Sequence, residues 1–548
     1  MNTARAVAGL LLLGFVSAAG WAGEPTQAAG AGESIYRQGV LSSGTPLMGV
    51  RQGAGLSVNG AEAACVNCHR RSGLGSTEGE LTVPPVTGEY LFHARGATNR
   101  EAVLHYVESM HGNRNPYTDA TLARAIREGL DSEGRPLVAL MPRFALGDAD
   151  MAALIDYLKK LGTHRNAGIT PTLLHFATIV TPEADPVKRQ GMLAVLEQYV
   201  KDKNDFPLSP SPRMRTSGKT MFAKSMYVAN RHWQLHLWEL TGPPERWREQ
   251  LDQHFAREPV MAVLSGLGGR HWGPVHEFCE RQQVPCLFPN VEVPDIAEGD
   301  FYSLYFSKGV LLESELIAHR IADSFKDPRG RTVRQVFRGD DSGAAAARTL
   351  AAALKGGGIS VQDQLVTGDP QHGVPGALRG AATADALVLW LRPADLAALG
   401  QPPATASVVY LSGLMGGLEQ SPLPPAWRER TRLAYPFDLP ERRLVRLDYP
   451  LGWFALRHIP LVAEQVQADT YLACGVLAET LNHMADTIDP DYLVERLQEI
   501  LDHRILTGYY PRLTLATGQS LASKGGFLVK FAEPTGTRIV PDGEWTVP

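Results

Sequence analysis

The sequence predicts a multidomain protein, a small all-α domain followed by a larger α/β domain of two lobes. Three observations carry this expectation. The chain has 548 residues, more than one ordinary core holds, so two or three domains are expected. Between Asp119 and Gly162 apolar residues recur at helical spacing. From Leu173 onward, apolar runs of strand length alternate with helical stretches, the pattern of parallel sheets covered on both faces.

The chain opens with MNTARAVAGLLLLGFVSAAGWAGEP, in which one basic residue, Arg5, precedes an apolar stretch from Ala6 to Ala19 and then small residues. This is the pattern of a secretory signal peptide over residues 1–22, and the alternative is an uncleaved anchor. The apolar core is shorter than the roughly 20 residues that a bilayer span needs. No later stretch is long enough to span a membrane, so none is expected after cleavage. The expected destination is the periplasm of a Gram-negative type of cell. Hydrophobic residues make up 44% and charged residues 20%, with a net charge of −5. Nothing basic enough for nucleic acid is present. Five cysteines in so long an exported chain make no disulfide scaffold. They divide into Cys65/Cys68, Cys279/Cys286 and Cys474.

The first pair lies in AACVNCHRRSG (63–73). Two thiols at C-x-x-C spacing reach both vinyl groups of a haem, and the next residue, His69, then lies under the iron. Zinc would need two further ligands at matched spacing, and none is nearby. A thioredoxin-like dithiol belongs between a strand and a helix, whereas GVRQGAGLSVNGAEAA before the motif reads as having no strand pattern. Downstream, a helix is expected with Asp119 as cap and Leu122, Ile126 and Leu130 on one face. EGLDSEGRPLVALMPRF then places Met141 before Pro142 in a Gly- and Pro-punctuated loop. GDADMAALIDYLKKLG reads as a last helix with Met151, Leu154, Ile155 and Leu158 inward, acidic at its start and basic at its end. GESIYRQG supplies a short first helix to pack on it.

On these residues, 32–162 resembles a class I cytochrome c. The resemblance implies one covalent haem c, Cys65 and Cys68 as thioether links, and His69 and Met141 as axial ligands. Met110, His111, Met48 and His93 are the competing sixth ligands, without the Met-Pro context. Met151 and Met110 read as core residues. The segment HRRSGLGSTEGELTVPPVTGEYLFHARG is longer than a minimal member needs. His/Met ligation favours Fe(II) and fills both axial positions, which suits electron transfer and not substrate chemistry.

Residues 163–171 read as a linker, flanked by Gly162, Gly168 and Pro171. Strands are expected at LLHFATIV (173–180), PVMAVLSG (259–266), VPCLFP (284–289), TVRQVFRG (332–339), ALVLWLR (386–392) and SVVYLSG (407–413). Helices are expected at DPVKRQGMLAVLEQYVKD, PERWREQLDQHFARE, GVLLESELIAHRIADSF and DSGAAAARTLAAALKGGG. This order, with the closing YYPRLTLATGQSLASKGGFLVKFA, resembles the type I periplasmic solute-binding proteins, the branched-chain amino acid receptor group. The domain is assigned to 172–548. The resemblance implies two lobes joined by several crossovers and closing on a small molecule. Ligands of such sheets lie beyond the carboxyl ends of the strands, which makes Ser265, Asn290, Asp340 and Arg392 the candidate ligand-binding residues. Ser265 and Arg392 suit a carboxylate, and Ser, Asn and Asp also serve as turn residues and caps. Cys279 and Cys286 flank ERQQVP and are a candidate disulfide, with two buried thiols as the alternative. Cys474 reads as core, and PSPRMRTSGKTMFAK (210–224) as a basic solvated loop. No catalytic constellation assembles from spacing.

The leading expectation is a periplasmic electron carrier, not an enzyme, whose second domain binds a solute or a partner. A dehydrogenase donor and an oxidase or cytochrome acceptor are its expected redox partners. The alternative is a solute receptor of a transport or sensing system with the haem as redox modulator. A peroxidase-like activity would require Met141 to dissociate. The linker composition suggests a loose tether between the halves.

Overall fold

The computed structural model describes residues 30–548 apart from 53–54, 79–80, 94–113, 163–166, 206–230, 326–329, 380–383, 403–407, 445–449, 485–486 and 504–507. The signal segment, Met110, His111 and the basic stretch 210–224 lie outside the described residues, as does part of the linker.

The N-terminal part comprises α1 (Ala31–Gln38), β1 (Met48–Arg51), β2 (Leu56–Asn59), α2 (Val66–His69), α3 (Asp119–Glu128), β3 (Arg143–Phe144) and α4 (Asp148–Lys160). The expected terminal-helix packing is present. A Cβ on Gly32 would meet the Ala153 carbonyl oxygen at 2.2 Å, so glycine is what lets α1 cross α4 this closely. Tyr36 and Tyr157 pack at 5.3 Å between ring centroids. Met151, Leu154, Ile155 and Leu158 are buried as read.

Two expectations for this part are corrected. It is not all-α: β1 pairs antiparallel with both β2 and β3. The GVRQGAGLSVNG stretch, read as patternless, is this hairpin. Its strands are four residues long, too short for alternation to show. The α3 cap is Thr118 and not Asp119. Thr118 Oγ1 accepts from the Thr121 amide at 3.2 Å, and Thr121 Oγ1 accepts from the Thr118 amide at 2.8 Å. This reciprocal box is worth about 1 kcal/mol. Asp119 instead pairs with Lys159 at 2.7 Å. Gly129, at φ 75°, ends α3 and leaves Leu130 beyond it.

The first α/β lobe is built from β4 (Leu173–Val180), α5 (Pro186–Asp205), β5 (His232–Glu239), α6 (Trp247–Arg257), β6 (Ala262–Leu264), β7 (Leu267–Gly268), α7 (Gly273–Gln282), β8 (Cys286–Leu287), β9 (Asn290–Val291) and β10 (Ser303–Leu304). Its strands are parallel. Along one line they run β9, β7, β4, β6, β8 and β10, with β5 also on β4. The chain then enters the second lobe: α8 (Val310–Ser324), β11 (Thr332–Phe337), α9 (Gly343–Lys355), β12 (Ser360–Leu365), β13 (Ala386–Trp390), α10 (Pro393–Ala397), β14 (Val409–Ser412) and β15 (Thr431–Tyr435). It returns to the first lobe with α11 (Glu464–Met484), packed on α5, and α12 (Pro490–His503), packed on α11. It crosses once more to finish the second sheet with β16 (Phe527–Phe531) and β17 (Ile539–Pro541). That sheet runs β12, β11, β13, β14, β15, β16, β17, with only its last two pairings antiparallel.

All six expected strands and all four expected helices are present. Eight further strands, β5, β7, β9, β10, β12, β15, β16 and β17, were not expected. β12 (SVQDQL) is polar because it is an edge strand with four of its six residues exposed. A run of aromatic contacts joins the lobes through Phe288–Phe306 at 4.3 Å, Phe306–Tyr510 at 5.3 Å and Phe437–Tyr510 at 5.5 Å. Cys474 is fully buried, as read.

Candidate functional site

Cys65 to His69 form one helical turn, with the His69 amide donating to the Cys65 carbonyl at 2.9 Å. Cys65 and Cys68, three apart, therefore share a face. His69 Nδ1 lies 2.9 Å from the Pro84 carbonyl oxygen. That oxygen only accepts, so Nδ1 carries the proton and Nε2 keeps its lone pair, the arrangement of a metal-ligating histidine. Burial lowers the pKa of His69, partly offset by the Pro84 bond, and favours the neutral ring that a ligand needs.

The donor set fits a covalent haem, and so does the apolar surface of this part of the chain. Met48, Val50, Leu56, Val138 and Leu140 stand 46–64% exposed. Met48 and Val50 share one face of β1, and Leu56, opposite Arg51, lies on the other; exposed apolar side chains in so small a unit call for a cover. Met141 follows a tight turn, its amide donating to Val138 O at 3.2 Å, and leads into β3 beside β1. Met48 lies on β1 and His93 just past a short helix, Gly88–Phe92.

The loop after His69 does not end in solvent. The amides of Arg71 and Ser72 donate to Glu495 Oε1 on α12 at 2.7 and 3.0 Å, and Ser72 Oγ donates to Oε2 at 2.5 Å. The Arg71 guanidinium lies 4.6 Å from the Phe301 ring centroid and 5.1 Å from that of Tyr302. Its Nε is 3.5 Å from Asp491, which Arg37 also reaches at 3.4 Å. Arg70 donates to Thr517 Oγ1 at 2.5 Å. Removal from water pushes the Glu495 carboxyl up to about 8, against the pull of its Ser72 bonds. Burial and the neighbouring Asp491 take Asp489 to about 7. The two parts thus meet in a built interface and not only through a tether.

In both lobes the strand order reverses at the first strand, between β4 and β6 and between β11 and β13. Ligand sites of such sheets lie at that switch, beyond the carboxyl ends. Ser265 sits there, fully buried with φ at 54°, a conformation usually left to glycine. Asn290 Nδ2 donates to Ser265 Oγ at 3.1 Å, and Ser265 Oγ lies 3.3 Å from Thr470 Oγ1 on α11. Beside Thr470, burial raises Asp469 to about 7 despite bonds from Tyr510 and Gln465. Both donors reach Oδ2, and Oδ1 has no partner among the described residues.

Arg392, read as free to bind a carboxylate, is already committed. It donates to Glu292 through two nitrogens at 2.7 and 2.6 Å and to Asp341 at 2.8 and 2.6 Å. Ser342 Oγ also donates to Glu292 at 2.7 Å, and Lys188 stands 3.6 Å away. Asp340, a candidate ligand-binding residue, is exposed, and its neighbour Asp341 holds Arg392. Cys279 and Cys286 are both fully buried, and burial, with Cys286 beside it, pushes the Cys279 thiol up. The reading missed Glu292, Asp341, Thr470, Asp469 and Glu495. Glu292 and Asp341 had a signal, their places in PNVEV (289–293) and RGDDSG (338–343), loops at the carboxyl ends of strands.

No protein-family model matches the sequence, and no curated protein matches it. Solved structures do. The chain is similar to a fatty acid ABC transporter substrate-binding protein from Thermomonospora curvata, at 14% identity and a TM-score of 0.50 over 70% of this chain and 95% of that one. It is also similar to a leucine-binding protein from Thermotoga maritima (10% identity, TM-score 0.49, 68% and 99% covered). A third is a branched-chain amino acid ABC transporter protein from Thermus thermophilus with bound valine (13%, TM-score 0.47, 70% and 97%). At these identities the first likeness shows the fold, the two-lobed α/β architecture of periplasmic binding proteins. Among the described residues no helix is long and apolar enough to cross a membrane.

Proposed function

We propose that the chain is an exported solute receptor, residues 172–548, whose N-terminal domain carries one covalent haem c as a redox modulator. The observation that carries the receptor reading is the Arg392–Glu292 pair. Arg392 follows β13 at the carboxyl end of one sheet, and Glu292 follows β9 at the carboxyl end of the other. The carboxyl ends of the two sheets therefore meet at this pair, and the proposed ligand cleft lies there, with Ser265, Asn290 and Asp469 as its first-lobe contacts. For the lobes to part, Arg392 must release Glu292. A small molecule with its own charged or hydrogen-bonding groups replaces that contact.

In the N-terminal domain, Cys65 and Cys68 would hold the haem by thioether bonds, and His69, through Nε2, and Met141 would ligate its iron. The haem supplies one-electron chemistry when bound, and the chain's own residues orient His69 and cover the macrocycle. The Met141-Pro142 turn favours a second reading. With both His69 and Met141 as ligands, the domain would suit an electron carrier between a periplasmic dehydrogenase and an oxidase or cytochrome. In that oxidising compartment the paired thiols Cys279 and Cys286 are expected to form a disulfide, which peptide mapping without reduction tests.

The receptor reading is tested by scanning fluorimetry of the full-length protein against amino acids, fatty acids and carboxylates. A ligand at 100 times its Kd stabilises by about 2.7 kcal/mol, several degrees of melting temperature. Silence across the panel, with rapid reduction by a partner dehydrogenase, would establish the electron carrier instead. A pyridine haemochrome assay is expected to find one haem per chain, and Met141→Ala to remove the sulfur–iron absorption band.

A further inference from the structure

We infer that Glu495 is a positioning residue for the haem: through it the α/β domain holds the strained turn that follows the axial histidine. The inference rests on the haem reading above. It starts from Arg70, the residue after His69, whose φ is 63° and ψ 170°. That region of backbone space is open essentially to glycine alone, and another residue stays there only where its surroundings over-determine it.

Those surroundings come from both parts of the molecule. From the N-terminal part, the Tyr36 hydroxyl donates to the Arg70 carbonyl at 2.7 Å, and the Gly75 amide donates to the His69 carbonyl at 3.1 Å. From the α/β domain, the next two amides and the Ser72 hydroxyl are all taken by the one carboxyl of Glu495, 424 and 423 residues further along the chain. Arg71 lies on Phe301 and Tyr302, and Leu74 packs against the core that the two lobes share. Without Glu495, three donors lose their acceptor and the turn relaxes toward an ordinary backbone conformation. His69 is the adjoining residue, so the relaxation is felt at the ring held by Pro84. The orientation and basicity of a ligating histidine are among the levers that set a haem potential.

The experiment uses the full-length haem-loaded protein and its variants Glu495→Ala, Glu495→Gln, Arg70→Gly and the double variant R70G/E495A. Midpoint potentials are measured by spectroelectrochemistry, and haem content by pyridine haemochrome. Glu495→Ala is expected to change the oxidised-to-reduced equilibrium at least threefold, about 30 mV for one electron. Glu495→Gln keeps an oxygen acceptor for the two amides and is expected to leave the potential in place. Glycine adopts the Arg70 conformation unaided, so in the Arg70→Gly background the effect of Glu495→Ala should fall below twofold. If Glu495→Ala loads no haem, R70G/E495A is expected to restore loading, and failure to do so overturns the inference. An unmoved potential in haem-loaded Glu495→Ala also overturns it. So does an equal shift in Glu495→Gln, because charge and not position would then be acting. A wild-type protein without haem removes the haem reading itself, and this inference with it.

Discussion

Two glutamates mark the two junctions of the molecule, and their surroundings drive them in opposite directions. Glu292 bridges the lobes. Its carboxyl meets Arg392, Ser342 and Lys188, and although burial works against it, the arginine bonds bring its pKa down to about 2. Glu495 joins the N-terminal part to the first lobe. Its carboxyl meets backbone amides and a hydroxyl, and desolvation takes it up to about 8. Both leave water, but only one finds full countercharge. A buried carboxylate that meets a guanidinium stays ionised, whereas one offered only neutral donors tends toward its protonated form. At Glu292 the lobe junction is therefore held by charge; at Glu495 the domain junction is held by hydrogen bonds that do not require it, with the Arg37 and Arg71 pairs to Asp491 beside them.

The difference can be broken experimentally, beginning with the largest effect. Arg392→Ala leaves Glu292 inside the cleft without its main partner. It should lower the unfolding free energy by about 3 kcal/mol in urea titrations of the full-length protein. Replacing both partners, as Glu292→Gln with Arg392→Met, should cost less, because the Glu292 charge goes with the guanidinium and only the Asp341 carboxylate, 20% exposed, loses its partner. Glu495→Ala strands two amides and a hydroxyl but no charge, so about 2 kcal/mol is expected. Its readout is local: tryptic cleavage after Arg70 and Arg71 should accelerate while the lobes stay resistant.

The pH dependence sharpens the contrast by about 1 kcal/mol or more at each junction. Glu495 has a folded-state value near 8 against an ordinary 4.5. Its contribution is complete below about pH 4.5 and is lost as pH rises through about 8, and Asp489, at about 7, runs the same way. Glu292 lies near 2 against 4.5. Its contribution is complete above about pH 4.5 and is lost as pH falls through about 2. Melting curves should show the alkaline slope flattened in Glu495→Gln and the acid slope flattened in Glu292→Gln. Unchanged slopes would mean that the junctions do not differ as described. The smallest effect is expected of Lys188→Ala. That side chain is 35% exposed and 3.6 Å from Glu292, so under about 1 kcal/mol is expected by the same urea titration.

Legibility in the sequence followed the range of the interactions. Met151, Leu154, Ile155 and Leu158 turn inward on α4 because a 3.6-residue period shows inside a single helix. The buried strand Leu173–Val180 was readable because a parallel strand covered on both faces is a continuous apolar run. Short or edge strands escaped. β1 and β2 are defined by each other and not by composition, and β12 is polar because it borders solvent. Ser265 and Asn290, chosen from two separate loops, come together in the structure because loops at the carboxyl ends of parallel strands converge. Arg392 was placed correctly but given the wrong occupant, since Glu292 lies 100 residues earlier and nothing local links them.

The sequence by itself determined the pieces: the C-x-x-C-H turn, the terminal helices, the order of strands and helices, and the two parallel sheets that order implies. These follow from local periodicity, capping and spacing, which act over a few residues. Only the tertiary structure decided how the pieces meet: Glu495 under the loop after His69, Glu292 in the grip of Arg392, and Asp469 buried with one oxygen unpartnered. Each of these depends on side chains brought together from distant parts of the chain. Their protonation depends on how much water that meeting removes, a property of the packed interior and of no single segment.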